Sequence, residues 1–167
     1  MSCQILERQS SYWDIVDRSG TVRIHFQQKE EFHFVCTTID AYALTANHPL
    51  LLDYEWPWSN IYVSSAPSEP AVVVGAIVGA WEPFLRGWRS PFSYLTDTDP
   101  ERMLSEGHGQ LLSAPEPLSS VAAKALANAA VNFSILPGRP ARWPRKALVA
   151  GDNYVVAADF RVERRAA

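Results

Sequence analysis

The chain has 167 residues, 47% hydrophobic and 20% charged, with six Trp, six Tyr and seven Phe. That composition excludes a disordered chain and allows one globular domain with a sizeable core. Its longest apolar stretch, residues 71–81, is eleven residues long, well short of the about 20 that cross a bilayer as a helix. With two cysteines and no basic-then-apolar leader, the expectations are free thiols, no secretion, no membrane insertion and a cytoplasmic location.

The net charge of −3 is unevenly spread. Residues 136–167 carry seven basic and three acidic groups, whereas residues 1–135 carry eight basic and fifteen acidic ones. Between Lys29 and Arg86 there is no Lys or Arg at all, while Glu30, Glu31, Asp40, Asp53, Glu55, Glu69 and Glu82 fall in that interval. Acids sharing one face there create a negative field that attracts a basic partner; basic groups folded in from elsewhere cancel it.

In chain order, residues 12–17, 21–27 and 31–38 read as antiparallel strands, separated by "DRSG" and by a turn at 28–30. Alternation places Val22, Ile24, Phe26, Phe32, Phe34 and Cys36 on one face, and that pairing sets His25 opposite His33 on the other. Residues 59–65 read as a strand. "AVVVGAIVGAW", with its consecutive valines, reads as a strand buried on both faces at the centre of the sheet. Asp99 as N-cap before Pro100 starts a short helix through Ser105. The main helix is expected over 117–133, where alanine dominates and nothing after Pro117 interrupts. A hairpin turning at Gly151-Asp152-Asn153 ends the chain. The fold class is therefore α+β: a single domain over 1–167 with a mostly antiparallel sheet, one main helix and a short second helix packed against it.

Motifs for the commonest chemistries are absent from the sequence: G-x-S-x-G, H-E-x-x-H, the phosphate-binding P-loop and G-x-G-x-x-G do not occur. His25 and His33, if they face each other across a hairpin, form two ligands of a weak metal site. Cys36 lies on the opposite face from His33, which rules out a local thiol–imidazole pair and leaves Cys36 as a small core residue. His25, His33 and Asp53 are the acid–base candidates of an alternative reading, a small-molecule binding protein or cofactor-independent enzyme with an aromatic pocket.

The reading placed first is a binding protein without a cofactor, using Asp53, Tyr54, Glu55, Trp56 and Trp58 to recognise a basic macromolecule. A basic toxin or enzyme to be neutralised is one such partner. The Arg/Trp stretch with Trp81, Arg86, Trp88 and Arg89 is a secondary binding candidate. Nucleic acid is disfavoured as a partner because phosphate neutralisation dominates such binding and the chain is acidic.

Overall fold

The computed structural model describes residues 3–9, 11–17, 20–35, 38–142 and 144–165. Its strands are β1 (Cys3–Gln9), β2 (Tyr12–Asp17), β3 (Gly20–His33), β4 (Thr38–Ile39), β5 (Ala43–Thr45), β6 (Trp58–Val63), β7 (Gly109–Pro115), β8 (Phe133–Pro137), β9 (Lys146–Ala150) and β10 (Asn153–Arg165). Among the described residues the α-helices are α1 (Leu52–Glu55), α2 (Pro70–Leu85), α3 (Pro100–Glu106) and α4 (Glu116–Asn128). Among the described residues every strand pairing is antiparallel, so the α+β class with antiparallel sheets holds. The chain divides into two compact units, one made of residues 1–51 with 143–167 and the other of residues 52–142.

The first unit is a seven-stranded sheet in the order β4-β1-β2-β3-β10-β9-β5. Its edge strands β4 and β5 are neighbours in sequence, with Ile39 and Ala43 ending one and starting the other. Four residues reach at most about 14 Å, whereas the edges of a flat sheet of this size stand about 29 Å apart. The sheet must therefore curl until its edges nearly meet. Ile39 accordingly joins the buried cluster of Trp13, Ile15, Ile24, Phe26, Leu148, Ala150, Val155, Ala157 and Phe160. Trp13 lies at the centre of an aromatic group, edge-on to Phe26, Phe32 and Phe34 at 6.0–6.4 Å between centroids. Such pairs contribute about 0.5–1.5 kcal/mol each beyond the area they bury.

The turn expected at 28–30 does not form. β3 runs through it as one 14-residue strand, and the polar run is absorbed by Gln28 at φ 50° and by a bulge where Lys29 and Glu31 oppose the adjacent residues Ala157 and Val156. Continuous pairing to β10 outweighs the local turn preference, and a bulge accommodates the extra residue. Ile24 and Phe26 are core residues as expected, Val22 and Phe34 pack partly, and Phe32 stays 37% exposed. Cys36 lies outside the described residues. The β9–β10 hairpin turns at Gly151 and Asp152, and the buried Asn153 side chain accepts a bond from the Val35 N–H at 2.6 Å.

In the second unit α4 packs on a three-stranded sheet, β7-β6-β8, and α2 packs against α4. Residues 71–81, expected to be a central strand, belong instead to α2. Pro70 occupies its first turn, where a missing N–H costs nothing. Val73, Val74, Ile77, Trp81 and Leu85 form its buried stripe, and that spacing follows a helical repeat. Trp81 is fully buried and its Nε1–H donates to the Leu118 carbonyl at 2.8 Å. α3 begins as expected, with the Asp99 carboxylate accepting from the Arg102 N–H at 3.0 Å. α4 ends at Asn128, earlier than expected, because Ala130 turns left-handed (φ 54°) and the Val131 N–H bonds back to the Leu126 carbonyl, after which Phe133 enters β8. Among the described residues no helix is long and apolar enough to cross a membrane.

Candidate functional site

Pro57 by itself favours an extended "EWPW", but Leu52–Glu55 form the helical turn α1 and the chain enters β6 at Trp58. The turn buries Tyr54 and leaves Glu55, Trp56 and Pro57 exposed. Asp53 is held from two directions. Its Oδ1 accepts from the Tyr94 hydroxyl at 2.8 Å, and its Oδ2 lies 3.3 Å from Arg89 Nη2. The side chains of Asp53 and Arg89 are 17% and 19% exposed, intermediate between a solvated pair of little worth and a deeply buried one.

The Asp53 carbonyl accepts in turn from Trp58 Nε1–H at 3.2 Å and from Arg139 Nη2 at 3.4 Å. The Arg139 guanidinium lies over the Trp58 ring, 3.5 Å from its centroid, a cation–π contact of about 0.5–2 kcal/mol. Burial pulls the Arg139 pKa down and the nearby Asp53 charge opposes that shift. Trp58 also meets Tyr94 at 5.8 Å, and Tyr94 meets the edge of Trp81 at 5.9 Å. The Arg142 N–H bonds to the Tyr54 carbonyl at 2.8 Å, with its guanidinium 5.9 Å from the Tyr54 ring centroid. The primary stretch around Asp53 and the Arg/Trp stretch around Arg89 thus converge on one network within the second unit.

The network sorts the candidates. Tyr54 and Trp81 are core residues and offer no surface to a partner, because α1 and α2 turn them inward. Trp58 is half-buried beneath Arg139, and Asp53 has both carboxylate oxygens committed to donors. Glu55 and Trp56 stand outside, with the Trp56 indole 42% exposed. Partial burial raises the Glu55 pKa. Arg86 is exposed at the left-handed end of α2, and Trp88 is half-buried next to it. Tyr94, Arg139 and Arg142 were missed in the sequence. The available signal was the basic-free interval itself, since a buried Asp53 needs cations from elsewhere in the chain.

The two histidines do not face each other. Both belong to β3, so at about 3.3 Å per residue they stand about 26 Å apart; the expected hairpin, and with it their juxtaposition, is corrected. His25 Nε2 lies 3.3 Å from Glu163 Oε2 in an exposed contact, and His33 stacks on Tyr154 at 5.3 Å. The Tyr154 hydroxyl donates to Glu31 at 2.6 Å. Among the described residues no group of three His, Cys, Asp or Glu is placed to hold a metal.

The acidic interval is partly cancelled. Glu30 is paired with the buried Arg145 at 2.6 Å and Asp53 with Arg89, whereas among the described residues Glu55, Glu69 and Glu82 have no ion pair. No protein-family model, curated protein or solved structure matches the chain.

Proposed function

We propose that the chain is a soluble, intracellular binding protein that recognises a basic macromolecule, with Glu55 and Trp56 as its contact residues. The observation that carries this reading is an exposed indole beside an exposed carboxylate, on a turn whose neighbours are pinned. Asp53, Trp58, Arg89, Tyr94 and Arg139 fix the turn through hydrogen bonds, an ion pair and ring contacts, so little ordering entropy remains to be lost on binding. Tryptophan is among the residue types that most often dominate an interface once water is displaced around it. The unpaired acids of the same unit would speed encounter with a cationic surface by electrostatic steering.

Capture from host lysate with the parent chain, Trp56→Ala and Glu55→Lys tests the proposal. One protein of basic isoelectric point should be retained by the parent and lost by both variants, and its binding should weaken with salt. Equal retention by all three chains would remove Trp56 and Glu55 as contact residues and refute the reading.

A further inference from the structure

The outward face of α2 is the least expected surface of the molecule. A helix at the edge of a globular unit ordinarily turns polar residues to water, yet no charged or hydrogen-bonding side chain occurs from Pro70 to Ala80. Opposite the buried stripe, Val72, Gly75, Ala76 and Gly79 face outward, with Val72 62% exposed. A Cβ added at Gly75 or Gly79 would meet nothing within 4 Å, so the ridge is low and open. A groove runs along each side of it. One, about 320 Å³, is lined by Glu69, Val72, Ala76, Ala125 and Asn128 among others. The other, about 480 Å³, lies between α2 and the start of α3 and is lined by Val74, Gly75, Val78, Phe92, Asp99 and Glu101 among others. Phe92 is 59% exposed.

A low ridge between two grooves is complementary to a second helix. Small residues allow the axes to approach closely, and larger side chains of the incoming helix fill the grooves on either side. The apolar run from Pro70 to Ala80 gives about 16 Å of track, room for three successive turns of anchors. Charge decides what kind of helix fits. Glu69 and Glu82 stand near the two ends of the face, and Asp99 and Glu101 line one groove, while neither groove is lined by a Lys or Arg. A phospholipid surface of anionic composition is repelled by such a rim. A second copy of α2 stacked on this face in the same direction brings Glu69 to Glu69 and Glu82 to Glu82.

We propose that the outward face of α2, with its two flanking grooves, is a docking surface for a basic amphipathic helix of a partner protein. Leucine- or isoleucine-sized side chains of that helix enter the grooves, and its lysines or arginines meet Glu69, Glu82, Asp99 and Glu101. The surface shares no residue with the Glu55–Trp56 turn and stands on its own observation, so either can fail without the other.

The test titrates the purified full chain with a synthetic Leu/Lys amphipathic peptide of about 18 residues, with a Leu/Glu peptide of the same pattern as control. Saturable binding of the Lys peptide is expected, weakened about tenfold or more by Ala76→Arg on the ridge, unchanged by Trp56→Ala, and absent for the Glu peptide. The double variant Glu69→Lys, Glu101→Lys should lose the Lys peptide and admit the Glu peptide, which decides the matter if Ala76→Arg fails to fold as judged by circular dichroism. Equal binding of both peptides, or undiminished binding to a folded Ala76→Arg chain, overturns the proposal. So does a dimer of the parent chain that Ala76→Arg dissolves, or adhesion to vesicles containing phosphatidylglycerol.

Discussion

Replacing Asp53 by Asn keeps the size of the side chain and an oxygen for the Tyr94 hydroxyl, but removes the charge facing Arg89. At the observed 3.3 Å separation, Coulomb's law gives about 1.3 kcal/mol at the dielectric constant of water and about 5 kcal/mol at an effective value near 20. The partners are about one-fifth exposed, and their desolvation offsets part of the larger figure. A coupling of about 1–2 kcal/mol is therefore expected. The single change Asp53→Asn should cost about 1–3 kcal/mol, since it removes the negative charge facing a guanidinium that is only 19% exposed. Arg89→Met removes the cation, and the double variant should be more stable than the sum of the two single losses implies. Urea unfolding of the four chains, followed by tryptophan fluorescence, measures the cycle. If the two losses add within about 0.5 kcal/mol, Asp53 and Arg89 are not coupled and the pinned-turn reasoning falls.

Two further predictions concern backbone strain and pH. Gly107 has φ +72°, and a Cβ there would lie 2.7 Å from the Ala66 backbone nitrogen; Gly107→Ala should therefore cost at least about 2 kcal/mol. Gly75→Ala, in open space within α2, should instead stabilise by about 0.5–1 kcal/mol. Thermal unfolding of both variants checks the contrast, and similar shifts in the two would contradict it. The Asp159 carboxyl is held below the ordinary range first by its hydrogen bond from Lys146, and the Asp97 carboxyl first by the Asp99 N–H. Both bind their proton less readily folded than unfolded, so their contribution is present above about pH 4 and is lost as pH falls through the folded-state values. Denaturant midpoints measured at falling pH should drop less steeply for Asp159→Asn than for the parent, and identical slopes would rule out that contribution.

What was readable in the sequence was whatever is decided locally. The Asp99-Pro100 helix start, the hairpin at Gly151 and the alanine-rich α4 each rest on residues within a few positions of one another, and each formed. Two of the departures, at α2 and in the middle of β3, have a common cause in long-range packing. α2 looked like a strand because its solvent face is as apolar as its buried face, which erases the polar–apolar contrast that marks a surface helix. Leu85, the last residue of its buried stripe, also fell beyond the window considered. The run "QQKEE" reads as a turn by composition, and only the presence of β10 as a pairing partner keeps it in a strand. For the site, sequence picked out both the Asp53 and Arg89 stretches, but nothing local announced that they meet, or that Arg139 would cover Trp58. Tyr54 and Trp81 turn inward because both stand on helices, and the second of these had been read as a strand.

The curled sheet is also a statement about timing. β5 and β9 are hydrogen-bonded neighbours, yet the whole of the second unit is inserted between them in the chain, with its two ends clasped by the bond from Arg142 to Tyr54. During synthesis the second unit is complete before β9 and β10 have been made. Until then β3, the longest strand, waits with an open edge, and the contacts that eventually close it join residues as far apart as Glu31 and Tyr154, 123 positions, or His25 and Glu163, 138 positions. Closing loops that long is slow. The Lys, Glu and Gln residues in the middle of β3, which misled the reading of the sequence as a turn, are the residue types that discourage an unpaired strand from pairing with another chain. By their chemistry these residues disfavour pairing of the open β3 edge with another chain until β10 closes it.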